Sequence, residues 1–136
     1  MSDTADPRLG LTVTHRRYVP YAHAHYGGAL VDGAYTLGLF GDVATEVAIR
    51  MDGDEGLLAG YSEVRFLGPV RAGDVLEATV EVVRVGRRSR ELRCTAHVVA
   101  RAEPERGDSA ARVLDAPLVV VEATATLVVP NAGVAE

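Results

Sequence analysis

The sequence predicts an α+β fold in which a long, curved antiparallel β-sheet wraps around one central α-helix. Three observations lead there. One segment carries helical periodicity, four later segments alternate apolar and polar residues as strands do, and those strands are too long to lie straight in a chain of 136 residues. That length amounts to about one domain, able to bury roughly two-thirds of the surface its unfolded chain exposes. We read a flexible N-terminus over 1–10, a single domain over 11–130 and a C-terminal tail over 131–136.

In residues 11–18, Leu11, Val13 and His15 alternate with polar or basic neighbours, as in a short strand. Residues 20–28 have no clean period but gather His23, His25 and Tyr26 ahead of Gly27-Gly28, and read as a loop leading into a helix. Over 32–50, Phe40, Val43, Ala44 and Val47 recur at i, i+3, i+4, i+7, preceded by Ala34 and Leu37. Asp32 stands at the expected N-cap, and Asp52-Gly53 stops the helix. Gly38 and Gly41 cost about 1 kcal/mol each inside a helix. They make sense where another backbone comes close.

Beyond a turn at 51–56, Leu58, Gly60, Ser62, Val64 and Phe66 share one face of a strand ending near 67. Leu76, Ala78, Val80 and Val82 do so in 75–85, and Leu92, Cys94, Ala96 and Val98 in 90–101; Val119, Val121, Ala123, Ala125 and Leu127 do so in 118–129. Residues 85–89 form a hairpin connection, and 102–116 a polar, Pro-containing loop. Strands of this length would span about 35–40 Å if straight. The sheet must curve, and the helix is what it can curve around.

All 14 basic residues are Arg, and the net charge is −5. Without Lys there is no Schiff base and no Walker-type phosphate lysine. The acidic balance argues against nucleic acid as a partner. The longest apolar run, 118–121, is far short of the about 20 residues a membrane span needs, and residues 1–9 lack a signal-peptide pattern. The single cysteine, Cys94, sits at an inward alternation position and reads as core. Zinc-type spacings are absent, so no metal site and a reducing, cytoplasmic setting are expected.

Phe66-Leu67-Gly68-Pro69-Val70-Arg71-Ala72-Gly73-Asp74-Val75-Leu76, following a glycine-bearing loop and one central helix, resembles the F-x-x-P-V-x-x-G-D-x-L corner of the hot-dog superfamily of acyl-CoA thioesterases and dehydratases. A narrower likeness lies in His25-Tyr26-Gly27-Gly28-Ala29-Leu30-Val31-Asp32-Gly33-Ala34, Leu39-Phe40-Gly41-Asp42-Val43-Ala44-Thr45-Glu46 and Asp52-Gly53-Asp54-Glu55-Gly56-Leu57. These segments are similar to the β-aminoacyl-CoA ammonia-lyases of amino-acid fermentation, the 3-aminobutyryl-CoA and β-alanyl-CoA enzymes. The chain departs from that family at Ala29, where the family carries Asn, and near Val121-Glu122, where it carries Cys-Arg or Gly-Arg. Those departures bear on substrate identity.

The resemblance implies an enzyme that reversibly eliminates ammonia from a short β-aminoacyl-CoA. Alternatives are an acyl-CoA thioesterase or a non-catalytic acyl-CoA-binding protein on the same fold. Such a reaction needs a base for the α-proton, an acid for the leaving amine and donors for the developing enolate oxygen. His25 and Tyr26 are candidates for proton transfer, against a bland reading as loop residues. Related thioesterases place an acidic catalytic residue near the position of His25. Gly27, Gly28 and Gly33 are candidates for thioester-oxygen contact, or else turn glycines. Asp32 is either an N-cap or an assisting acid. Glu46, about 21 Å along the helix from Asp32, is a second candidate base because another hot-dog branch uses a helical carboxylate. Arg84, Arg87, Arg88 and Arg90 crowd one hairpin and form either a solvated turn or a site for the coenzyme A phosphates. No cofactor is expected beyond coenzyme A as part of the substrate. The family pairs subunits at the site, so a homodimer or higher homo-oligomer is expected.

Overall fold

The computed structural model describes residues 6–130 and builds, in chain order, β1 (Thr12–Tyr18), a 3-10 turn (Tyr21–His23), β2 (Ala24–Tyr26), a second 3-10 turn (Gly27–Ala29), β3 (Leu30–Val31), α1 (Gly33–Asp52), β4 (Leu57–Phe66), β5 (Val75–Val85), β6 (Ser89–Ala102) and β7 (Ala111–Val128). Five strands join in one sheet of order β1-β5-β6-β7-β4, and β2 pairs with β3 as a separate hairpin. Every pairing is antiparallel. The α+β architecture, one helix against a long antiparallel sheet, is the one expected. The tail at 131–136 and the first five residues of the expected flexible terminus lie outside the described residues.

Burial of one helix face against one sheet face supplies the core. On β5 and β6 the alternation is strict: Leu76, Ala78, Val80 and Val82 face inward opposite Leu92, Cys94, Ala96 and Val98, all buried. From α1, Phe40, Val43, Ala44 and Val47 bury as their spacing requires, joined by Thr36, Leu39 and Ala48. Each fully buried Val, Leu or Phe contributes about 1.5–3 kcal/mol. Ala34 and Leu37 do not lie squarely on this stripe; Ala34 is exposed and Leu37 only half-buried. Burial pushes the Cys94 thiol up to about 12, which keeps it an inert core group.

The two strands on the β4 side of the sheet depart from the expected pattern. In β4, register shifts between Leu58 and Gly60 and between Ser62 and Arg65 break the alternation. Tyr61 and Val64, not the whole set from Leu58 to Phe66, therefore pack on the core. At the second shift Glu63 takes a left-handed backbone (φ 52°), as bulged residues can. Strand β7 begins at Ala111, inside the expected loop 102–116, because Ala111, Arg112 and Val113 pair with Ala102, Arg101 and Ala100. Pro117 sits in the irregular stretch between those pairs and Leu118, where its missing N–H breaks no ladder bond. A further shift buries Val120 in place of Val119.

Residues 6–10, the described part of the expected flexible terminus, contact the body of the domain. The Gly10 N–H donates to the Val82 carbonyl (2.9 Å), and the Arg8 guanidinium bonds both Asp6 and Asp52. Asp52, at the end of α1, also meets Arg90. That guanidinium donates from Nε and Nη2 to the Asp52 carboxylate (3.1 and 3.0 Å) and from Nη1 to the Gly86 and Ser89 carbonyls (2.8 and 3.0 Å). Arg90 is 1% exposed. It staples the end of α1 to the β5–β6 hairpin, and Gly53 (φ 66°), donating to the Ile49 carbonyl, closes the helix. Removing the carboxylate from a buried pair strands its partner's charge. Asp52→Ala is expected to lower unfolding free energy by about 3–5 kcal/mol, whereas breaking the exposed pair Arg65–Glu122 costs under about 1 kcal/mol. Urea unfolding of both variants checks this.

Candidate active site

The segment expected to be a loop before the helix is a small hairpin. Ala24 pairs with Val31 and Tyr26 with Leu30, so the turn Gly27–Ala29 stands at the hairpin's tip. Gly28 has φ 72° and ψ 22°, and Ala29 has φ 61°. Glycine accepts that left-handed conformation freely. An alanine pays about 1–2 kcal/mol for it, and Asn, which the resembled family carries here, tolerates it better. A Cβ built on Gly27 or Gly28 meets nothing within 4 Å, so the tip of the turn faces open space.

The hairpin is held from behind by the corner at residues 69–74. The Ala72 N–H donates to the Ala29 carbonyl (2.9 Å), the Val31 N–H to the Val70 carbonyl (2.9 Å), and Leu30 bridges Arg71. Beside the turn lies a cavity of about 690 Å³ whose lining includes Tyr21, Gly28, Ala29, Arg71 and Arg101. On β2, His25 and Tyr26 are exposed, with their rings edge to face at 4.6 Å. His23 instead packs against Tyr35 of α1, centroids 4.7 Å apart.

Asp32 occupies the N-cap position by its backbone, yet its carboxylate makes no capping hydrogen bond. Its side chain is thus not spent on the helix. Gly33 has a packing reason, because a Cβ there would overlap the Phe66 ring. One continuous segment from β2 to the first turn of α1 therefore carries His25, Tyr26, Gly27, Gly28, Asp32 and Gly33. Backbone donors, an imidazole, a phenol and a carboxylate are the groups that proton transfer next to a thioester uses.

Two expected groups lie elsewhere. Glu46 accepts from or shares a proton with His15 Nε2 of β1 (2.6 Å) and accepts from Arg50 (2.7 Å). The hydrogen bonds from His15 and Arg50 hold its carboxyl below the ordinary range, which makes it a weaker base and an anchor between β1 and α1. The arginine hairpin sits at the far end of β5 from the corner that holds the turn, about 30 Å away at strand rise. Arg90 is buried in its pair with Asp52 and leaves the phosphate-binding set, since its donors are taken by the chain itself. Arg87 and Arg88 remain exposed, and Arg84 lies 3.7 Å from Glu91.

Arg71 and Arg101, which the sequence reading did not single out, stand beside the turn. Arg71 lay in plain view at a variable position of the corner motif; Arg101 had no local signal, because its partner Asp74 is 27 residues away. The close contacts expected of Gly38 and Gly41 are not made within this chain. A Cβ on Gly38 meets nothing within 4 Å, and one on Gly41 only Leu58 at 4.0 Å. Among the described residues, no group of three or more His, Cys, Asp or Glu is placed to hold a metal ion, and no helix is long and apolar enough to cross a membrane.

The lowered pKa of Glu46 fixes the sign of a pH effect. Its stabilising contribution is full above the ordinary carboxylate pKa and is lost as pH falls through the depressed folded value. Glu46→Gln is expected to be less stable than the parent at neutral pH, with the difference closing on acidification through that range. Thermal unfolding across pH measures it.

Comparison with known proteins places this arrangement. Residues 28–105 match the thioesterase superfamily. A 3-aminobutyryl-CoA ammonia lyase of Acetoanaerobium sticklandii is 50% identical over 108 residues, covering 79% of this chain and 86% of the relative. The structure of β-alanyl-CoA:ammonia lyase from Clostridium propionicum superposes with a TM-score of 0.85 at 32% identity, over 90% of this chain and 87% of that one. A hexameric hotdog fold thioesterase of Campylobacter jejuni has the same fold, with a TM-score of 0.66 and 18% identity over 93% of this chain and 84% of the other. With its sheet wrapped on one helix, its glycine-turn hairpin and these two lyase relatives, the chain belongs to the hot-dog thioesterase superfamily, in the branch of the β-aminoacyl-CoA ammonia-lyases.

Proposed function

We propose that this protein eliminates ammonia reversibly from a short β-aminoacyl-CoA, 3-aminobutyryl-CoA or β-alanyl-CoA, to give the enoyl-CoA. The observation that carries the proposal is its likeness to two ammonia lyases at 50% and 32% identity. The superfamily match, which begins at residue 28, takes in Gly28, Ala29, β3 and the helix start, while β2 with His25 and Tyr26 lies just ahead of it. In this reading, N–H groups at Gly27, Gly28 and Gly33 polarise the thioester carbonyl. His25 takes the α-proton, the α–β double bond forms as the C–N bond breaks, and ammonia leaves with the electron pair. Protonated His25 returns its proton to the ammonia, aided by Tyr26. The Asp32 carboxylate, free of capping duty, receives the substrate ammonium group. Coenzyme A enters only as part of the substrate.

A second copy completes the assembly. Strand β4 is a sheet edge with Leu57, Leu58, Phe66 and Leu67 exposed, a combination that invites pairing with another chain. Arg84, Arg87 and Arg88 are then the cations offered to coenzyme A phosphates bound by a neighbouring copy. The single, buried thiol suits a reducing, cytoplasmic setting.

Incubation with crotonyl-CoA or acryloyl-CoA, with and without ammonium, tests the reaction when enoyl absorbance and free thiol are followed together. Ammonium-dependent loss of the enoyl signal without thiol release is expected. Thiol release without that loss overturns the lyase reading and makes the protein a thioesterase. His25→Ala is expected to lower kcat by about 10²–10⁴-fold with binding of the CoA ester retained; unchanged kinetics remove His25 from the mechanism.

A further inference from the structure

Asp74 is 0% exposed, and a buried carboxylate survives only with full hydrogen bonding. Arg101 donates from Nε to Oδ1 and from Nη2 to Oδ2, both at 2.9 Å, and the Arg71 N–H donates to Oδ2 at 2.8 Å. Nη2 of the same guanidinium also donates to the Pro69 carbonyl at 2.8 Å. One side chain thus ties both ends of the corner, Pro69 and Asp74, into a closed bracket. The fork geometry of Arg makes this possible, and Lys could not reproduce it.

The bracket faces two ways. On one side the Gly73 N–H donates to the Val19 carbonyl (2.7 Å) and the Val19 N–H to the Asp74 carbonyl (2.8 Å). On the other it grips Ala29, Leu30 and Val31 through the bonds already described. Strained backbone persists only where its surroundings over-determine it, and Ala29, at φ 61°, is strained. A Cβ on Gly27 or Gly28 has no neighbour within 4 Å, and the backbone of the turn is held by the β2–β3 pairing and by the corner behind it.

We infer that Asp74 and Arg101 are the positioning pair of the active site, locking the corner that holds Gly28 and Ala29 of the turn in their left-handed shape. The inference rests on the reading of that turn as the thioester-binding element. Arg101 touches no reacting atom in this account; it acts through Ala72 and Ala29.

The experiment compares Arg101→Met, Arg101→Lys and the neutral double variant Asp74→Asn/Arg101→Gln, each with and without Ala29→Gly, by ammonium-dependent enoyl-CoA kinetics and thermal unfolding. Loosening the turn is expected to lower kcat by about a hundredfold with little change in KM, and Arg101→Lys is expected to fall between Arg101→Met and the parent. Because glycine adopts the left-handed conformation without help, Ala29→Gly is expected to recover about tenfold of the lost kcat without recovering the melting temperature. Should Arg101→Met fail to fold, the neutral pair, which strands no charge, carries the comparison. Parental kcat in the Arg101 variants, or a loss that Ala29→Gly does not recover, overturns the inference. Gly28→Val separates it from the underlying reading: if that variant keeps parental turnover, the turn is not the site and both fall. If it is inactive while the Arg101 variants keep parental kcat, only the positioning pair falls.

Discussion

Burial of a single apolar helix stripe against the concave face of the sheet is the constraint on which the molecule depends. Phe40, Val43, Ala44 and Val47 have one surface to meet, the inward face of the sheet, where β5 and β1 make the closest approach to the helix. A helix of 20 residues is about 30 Å long, close to the length of the strands beneath it. The sheet bends over that length, and its register irregularities fall in β4, β5, β6 and β7. Bulges are how antiparallel strands take up such curvature.

Two aspartate–arginine pairs then fix the ends of the helix layer. Asp52 with Arg90 secures its C-terminal end to the β5–β6 hairpin, and Asp74 with Arg101 closes the corner that grips the hairpin ahead of its N-terminal end. Both use a forked guanidinium against a carboxylate that is nearly or fully buried, the geometry for which Arg is suited. An all-arginine complement therefore serves architecture at the positions where its charge is most deeply placed. At the surface most of the other arginines pair with carboxylates, as Arg16 does with Glu77 and Arg65 with Glu122.

The chemistry asks little of the chain beyond this scaffold. A thioester acidifies its own α-carbon, so backbone donors, an imidazole and a carboxylate are sufficient groups for ammonia elimination. In the proposed reading they are drawn from one hairpin and the first turn of the helix it feeds. The scaffold's contribution is to hold that segment from behind while leaving its tip open, and the strained Ala29 marks where the holding is tightest.

Local pattern determined the helix, the existence of the five sheet strands, the inward faces of β5 and β6 and the core place of Cys94, because each follows from residues a few positions apart. The corner and glycine motifs identified the family for the same reason. Only the tertiary structure decided the hairpin of β2 and β3, the early start of β7, the broken alternation of β4 and the partner of each arginine. Those depend on pairing between distant segments: Arg90 belongs to Asp52 and Arg101 to Asp74, and nothing in the neighbourhood of either arginine distinguishes it from those left at the surface. A hydrophobic period is written along the chain, whereas the choice of which charge is buried is made by the fold that brings its counter-charge to it.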